Sequence, residues 1–178
     1  ELLREPDTTP EEREQYLQII LDESSHLADL ANSTLLLTRL ESQQFIAEKR
    51  PYPLDEQIKR CAILLSPSWE KKQISFTASL EPAEFVGNEE LMRQVWINLL
   101  DNAVKYTPEG GEITVTLQVR PEELEISVAD TGIGMPEEVR SHVFDKYYQG
   151  SRSSGSGRGL GLGLSIVYRI LELCGGQV

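Results

Sequence analysis

The sequence predicts a two-layer α/β sandwich, a mixed sheet with helices on one face, preceded by one long coiled-coil-like helix. Three observations carry this expectation. From Pro10 to about Gln44 no internal Gly or Pro interrupts a helical pattern. Ile74–Leu80, Glu112–Val119 and Leu124–Asp130 alternate as strands should. Helical patterns at Glu90–Tyr106 and Gly161–Leu173 flank those strands, and helices layered on a sheet bury both sets of apolar faces.

The elements follow in order. Thr9-Pro-Glu-Glu12 is a strong helix start, with Thr9 as N-cap, Pro10 at the first helical position and Glu12 closing a capping box. Tyr16, Ile20, Leu27, Leu30, Leu37 and Leu40 then recur at spacings of three, four and seven. Roughly 35 residues at about 1.5 Å each make a helix near 50 Å long, which cannot hide its stripe within a small domain and should pair with another helix. Gln43–Lys49 reads as a linker, 49–54 as a short strand, and Asp55 opens a helix carrying Ile58, Ala62 and Leu65. Pro67 should end or bend that helix near Ser66. The strands 112–119 and 124–130 make a hairpin around Pro121-Glu-Glu123, with Ile113, Val115 and Leu117 on one face and Ile126 and Val128 on the matching face. Pro136–Phe144 is expected as a short helix, and Gly175-Gly176 should stop the helix 161–173. These elements divide the chain into a helical part, 1–44, and an α/β part, 45–178.

Composition sets limits. A 39% hydrophobic share supports a real core, and 26% charged residues fit a globular chain. A net charge of −12 disfavours nucleic acid or an anionic membrane as a main partner, because both demand basic patches. Cys61 and Cys174 lie in apolar helical contexts without ligand spacing to His26 or His142, so they read as reduced core cysteines. No run approaches the ~18 apolar residues of a membrane span, and no signal peptide is visible.

The most informative segment is Glu90 to Tyr106, ELMRQVWINLLDNAVKY. Asn98, Asn102, Lys105 and Tyr106 share one helical face, while Leu91, Val95, Leu99 and Val104 are expected to turn toward the core. Buried asparagine is costly unless its amide is paired, so two stacked on one helix point to a ligand, against the plainer reading of a polar helix edge. Oxygen-coordinated Mg²⁺ would suit those carbonyls, and Lys105 would meet phosphate charge.

Two glycine-punctuated segments follow, Asp130-Thr-Gly-Ile-Gly-Met135 and Gly157-Arg-Gly-Leu-Gly-Leu-Gly-Leu164, with Val143-Phe-Asp-Lys-Tyr-Tyr-Gln-Gly150 between them. In order and spacing these resemble the ATP-binding catalytic domain of sensor histidine kinases, within the GHKL superfamily shared with type II topoisomerases, Hsp90 and MutL. The resemblance makes Glu90–Tyr106 the N box, Asp130–Gly134 the first glycine box, Phe144 the F box and Gly159–Leu164 the second glycine box. It implies the Bergerat-type ATP-binding fold. The segment ending Leu35-Leu-Leu-Thr-Arg-Leu-Glu-Ser42 resembles the second helix of the dimerisation and phosphoacceptor hairpin, with Glu1–Arg4 the end of the first. A closing hairpin beyond the strand start at Gln177-Val178 is also implied.

The resemblance assigns roles. ATP and Mg²⁺ are the cofactors, and Asn98 and Asn102 the Mg²⁺ ligands. Asn98 and Lys105 are the catalytic candidates, and Tyr106 belongs to the nucleotide contacts. Asp130 is expected as a buried carboxylate accepting from the adenine amino group, where the residues alone also allow a simple turn. Gly132 and Gly134 let the backbone pass close to the purine. Gly150–Gly159 looks like a flexible lid, bringing Arg152 and Arg158 to the phosphates. Gly159, Gly161, Leu162, Gly163 and Leu164 lead into a helix whose N-terminus offers free N–H groups and a positive dipole end. Leu160 stands where the family usually has a small hydroxyl residue, so backbone contacts must serve there. Phe144 is equally a hydrophobic anchor for the lid or a nucleotide contact.

Hydrolysing relatives carry a glutamate four residues before the Mg²⁺ asparagine, and here that place is Asn98. Without a general base for water, transfer of the γ-phosphoryl group to a protein side chain fits better. His26 and His142 both lack the acid, base and proline that follow the family's phosphoacceptor, so that residue is expected before Glu1. The expected partners are a second copy, through the helical hairpin, and a response regulator receiver domain, with no nucleic acid and no membrane contact by these residues. The parent is expected to be a membrane-anchored bacterial protein of which this is a cytoplasmic portion. The alternatives are a hydrolysing GHKL-type ATPase and a non-catalytic nucleotide-binding dimerisation scaffold.

Overall fold

The computed structural model describes residues 9–42, 48–149 and 161–178. Helix α1 (Pro10–Ser42) starts as expected. The Glu12 N–H donates to Thr9 Oγ1 at 3.2 Å and the Thr9 N–H to Glu12 Oε2 at 2.8 Å, a reciprocal capping box. Its C-terminal end is docked, with Leu37 and Leu40 buried, while Leu17, Ile20, Leu21 and Leu27 face outward. Most of the expected linker, 43–47, lies outside the described residues.

Strand β1 (Arg50–Pro53) pairs antiparallel with β3 (Glu84–Gly87), an element that the sequence reading did not contain. Tyr52 meets Phe85 edge-on at 5.9 Å, which fastens this two-stranded ribbon. Helix α2 (Leu54–Leu64) follows without a break. Pro67 then opens a further short helix, α3 (Ser66–Lys71), because a first-turn proline loses no helical hydrogen bond. Strand β2 (Ser75–Leu80) runs parallel to β4 (Glu112–Val119), which pairs antiparallel with β5 (Leu124–Asp130). The order β2-β4-β5 makes the mixed sheet that was expected, and the hairpin registers Val115 with Val128 and Leu117 with Ile126.

Helix α4 (Glu89–Tyr106) is capped by Asn88, whose Oδ1 accepts from the Leu91 N–H at 3.0 Å. Its core face differs from the expected one. Met92, Val95, Trp96, Leu100, Ala103 and Val104 are buried, whereas Leu91 and Leu99 are only half-buried. Apolar residues stand next to one another at 91–92, 95–97, 99–100 and 103–104, so the stripe is ambiguous by one position in the sequence, and packing against two neighbours decides it. Helix α5 (Glu137–Arg140) is a single turn rather than a helix to Phe144. Helix α6 (Gly163–Cys174) begins two residues later than expected and ends at a left-handed Gly175, with the Gly176 N–H donating to Leu171 O at 2.8 Å.

One core joins these elements. Ile113, Val115 and Leu117 of β4 are buried together with Ile58 of α2, Val95 and Leu100 of α4, and Ile166 and Ile170 of α6. Within it, Gln57 holds α2 to α4 by two bonds: its Nε2 donates to Glu89 O at 2.6 Å and its Oε1 accepts from Trp96 Nε1 at 2.9 Å. Stranding a buried indole N–H costs about 1–3 kcal/mol. Gln57→Leu should therefore lower stability by about 2 kcal/mol, read as a lower urea midpoint with an unchanged slope.

Candidate functional site

Asn98 sits in the middle of α4 with its amide against the first residue of α6. A Cβ placed on Gly163 would lie 3.0 Å from Asn98 Oδ1, so the two helices meet at a glycine because an asparagine occupies the seam. Asn98 Nδ2 is buried and has no hydrogen-bond partner among the described residues. Asn102 follows one turn later, half-buried, with no described group bonded to its amide. A buried amide with an idle donor, beside a second idle amide, is what a polar ligand would complete.

The far end of α4 meets the first glycine segment. Asp130 closes β5, and its Oδ1 accepts from the Gly132 N–H at 2.8 Å, an Asx turn. A Cβ on Gly132 would come within 2.7 Å of Tyr106 O, so glycine alone lets this loop lie on the end of α4. The Ile133 N–H donates to Tyr106 O at 3.4 Å, and Gly134 takes a positive φ of 65°. The expectation of a buried Asp130 is corrected: the residue is exposed, because it is the last residue of β5, where the strand gives way to the glycine turn. Ile133 and Met135 are exposed beside it.

Lys105 is half-buried, with its Nζ 5.2 Å from the centre of the Tyr106 ring. Burial holds its ammonium below the usual lysine range, and the Asp101 carboxylate one turn earlier partly offsets this. Lys105 lines a hollow together with Ser68, Lys71 and Lys72, on the flank of α4 that faces α3. The four polar residues of α4 are thus not one flat face: Asn98 turns to α6, and Lys105 turns toward α3.

Phe144 is half-buried against Tyr168 of α6, ring centres 5.7 Å apart. Gly161 O accepts from the Tyr147 N–H at 2.8 Å, tying the approach to α6 to the Phe144 segment. Leu162 is buried and caps α6, Leu164 is half-buried, and the Ile166 N–H makes the first helical bond back to Leu162 O. The amides of 163–165 therefore precede that ladder, as any helix start requires. Arg152, Arg158 and Gly159, with the expected lid 150–159, lie outside the described residues. His26 is half-buried on α1, and His142 is exposed with its Nδ1 2.7 Å from Asp145 Oδ2.

The sequence reading missed two residues that hold the site. Thr131 Oγ1 accepts from the Glu112 N–H at 2.9 Å, locking the glycine turn to β4. Lys72 binds the end of α4. A threonine after the strand aspartate gives a weak signal for the first, whereas nothing in a lysine-rich helix end marks the second.

Residues 87–178 match the family described as histidine kinase-, DNA gyrase B- and HSP90-like ATPases. The chain is 31% identical over 170 residues to the heme sensor protein HssS of Staphylococcus saprophyticus, covering 96% of this chain and 36% of that protein. It is 31% identical over 166 residues to the histidine protein kinase DivJ of Caulobacter vibrioides, covering 92% of this chain and 28% of that one. Among solved structures, full-length ShkA in complex with AMPPNP superposes with a TM-score of 0.77 at 29% identity, over 98% of this chain and 36% of that one. Histidine kinase ThkA in complex with the response regulator protein TrrA does so with a TM-score of 0.74 at 26% identity, over 94% and 46%. This chain belongs to the histidine kinase-, DNA gyrase B- and HSP90-like ATPase family, as an ATP-binding catalytic domain of the sensor histidine kinase type. It spans about a third of the length of the relatives it matches, 36% and 28% for the two proteins above.

The Tyr106–Gly132 contact gives a direct test of the site. Gly132→Ala would drive a methyl group against Tyr106 O and push the turn off α4. ATP affinity, measured by calorimetry, should fall about tenfold or more, since misplacement near 1 Å can cost up to about a hundredfold.

Proposed function

We propose that this chain is the Mg-ATP-binding catalytic portion of a dimeric sensor histidine kinase. It transfers the γ-phosphoryl group to a histidine on a helix preceding α1, for relay to an aspartate of a response regulator receiver domain. The observation that carries the reading is the amide at the α4–α6 seam. One turn before Asn102 stands Asn98, wedged against Gly163, so no carboxylate is placed there to activate water. Transfer to a side chain is then favoured over hydrolysis.

In this reading residues 1–44 are the helical part and 45–178 the nucleotide domain. Asn98 and Asn102 supply carbonyl oxygens to Mg²⁺, which neutralises phosphate charge when bound. Lys105, with Arg152 and Arg158 of the lid, meets the phosphates, and Gly159, Gly161, Leu162, Gly163 and Leu164 bring the α6 amides to them. A lysine held below its usual range by burial favours a phosphate partner, because pairing restores the charge that desolvation penalises. Asp130 receives the adenine amino group on its second oxygen, its first being engaged by the Gly132 N–H. Gly132, Gly134 and Tyr106 form the wall beside the base, and Phe144 anchors the lid.

The outward-facing leucines and isoleucines of α1 support pairing with a second copy. The ThkA complex with TrrA supports a receiver domain as partner. No helix among the described residues is long and apolar enough to cross a membrane. We place this portion in the cytoplasm, and its parent at the membrane.

Two measurements test the reading. Asn102→Ala should abolish the Mg²⁺-dependent part of ATP binding while the fold persists, seen by calorimetry with and without Mg²⁺. Unchanged affinity would remove Asn102 from the site. With radiolabelled ATP this chain should not label itself, yet should transfer label to a longer relative of itself that carries the preceding helix and a disabled nucleotide site. Acid-labile label on this chain that vanishes in His26→Gln would place the acceptor on α1 instead.

A further inference from the structure

A helix leaves its last four carbonyls without helical donors, and where α4 ends these carbonyls belong to residues at the nucleotide site. Each is accounted for. Ala103 O accepts from the Thr107 N–H at 3.0 Å and from Thr107 Oγ1 at 2.6 Å. Val104 O and Lys105 O accept from one ammonium, Lys72 Nζ, at 2.7 and 3.0 Å, and the same Nζ donates to Thr107 O at 3.0 Å. Tyr106 O is left to the Ile133 N–H of the first glycine turn.

The backbone around Lys72 is built to hold it there. Gln73 takes a left-handed φ of 53°, uncommon for a residue with a side chain, in the turn that leads from α3 into β2. Lys72 O accepts from the Gly110 N–H at 2.9 Å, and Gly111 O accepts from the Ser75 N–H at 2.8 Å. The turn after α4 is therefore stitched to the α3–β2 turn by backbone and side chain together. Three acceptors around one nitrogen match the three N–H bonds of an ammonium, a geometry that a planar guanidinium cannot reproduce. A cation at this pole also opposes the negative end of the α4 dipole.

We propose that Lys72 is a positioning residue for the nucleotide site. By holding Val104 O, Lys105 O and Thr107 O it fixes the last turn of α4, and so the direction of the Lys105 side chain and the placement of Tyr106 O beneath the glycine turn at 132–133. It touches no ligand itself. The inference rests on the reading of α4 and the glycine turn as the ATP site, and it adds a residue from outside the four sequence boxes.

The test compares this chain with Lys72→Met, which keeps the aliphatic stem and removes every donor, and Lys72→Gln, which keeps two N–H donors without the charge. Mg-ATP affinity is measured by calorimetry well below each variant's melting midpoint, and backbone amide shifts are recorded by NMR. The expected order is wild type, then Gln, then Met, with Met weaker by about tenfold. Amide shifts should concentrate at 104–111 and 131–134. A lysine that only stabilises the fold would lower the midpoint and leave affinity and those amides unchanged, and that result overturns the proposal. If Lys72→Met does not fold, Lys72→Gln decides alone by the same two readouts. A wild type that binds no ATP refutes the nucleotide reading. A wild type that binds, with both variants binding equally well, refutes the role of Lys72 only.

Discussion

The rotational setting of α4 is the constraint on which the rest depends. One helix buries Met92, Val95, Trp96, Leu100, Ala103 and Val104 and at the same time presents Asn98 to α6 and Lys105 to the α3 flank. At about 100° per residue, a small rotation would carry Asn98 into the core or pull Trp96 out of it. The Trp96 indole N–H has one acceptor, Gln57 Oε1, and Gln57 is itself held by Glu89 O, so rotation breaks a buried polar chain before it reaches any apolar contact. Hydrophobic burial makes the helix stay, and these directional bonds set its angle.

The two glycine segments are consequences of that setting. Each touches α4 where a side chain would not fit, Gly132 on the Tyr106 carbonyl and Gly163 on the Asn98 amide. The loop after β5 and the start of α6 therefore lie against the same helix, one near its end and one near its middle. Between those contacts α4 is left with two idle amides, and the half-buried Lys105 lies on its other flank, toward α3. Among the described residues nothing bonds the two amides, a pattern that a polar ligand would complete.

Much of this was legible from residues alone because local pattern and tertiary role agree. The 112–119 and 124–130 hairpin alternates cleanly and pairs as read, since one face of it is buried by helices. The Thr9–Glu12 box needs only its own four residues. What escaped the sequence depends on distant partners. Strand β3 is four residues long and is defined by β1, more than thirty positions earlier, with Tyr52 and Phe85 at its centre. The core stripe of α4 was shifted because Leu91 and Leu99 are as apolar as Met92 and Leu100, and only the placement of α2 and α6 separates them. Asp130 is expected buried only because the resemblance asks for a dry carboxylate, whereas its place at the end of β5 leaves it exposed. Lys72 left no trace, because a carbonyl acceptor carries no residue identity.

The joint between α1 and the α/β part is the edge of the same core. Among the described residues it includes Leu37 and Leu40, with Leu30 and Leu36 half-buried against the same core, the Arg169 Nε bond to Leu40 O at 3.1 Å, and the Glu41–Lys146 ion pair. Two buried leucines contribute roughly 1.5–3 kcal/mol each, and an exposed ion pair between about 0 and 1 kcal/mol. That sum is small beside the rest of the buried core. It is also of the size that ligand binding can shift, since moving a two-state joint from one extreme to the other takes about 5.5 kcal/mol of differential affinity. Lys146 lies between Phe144 and Tyr147, and the Tyr147 N–H is bound by Gly161 O. The contact that holds α1 thus ends on the segment that leads into the second glycine box. A joint of this size is firm enough to define an orientation and weak enough to be exchanged for another.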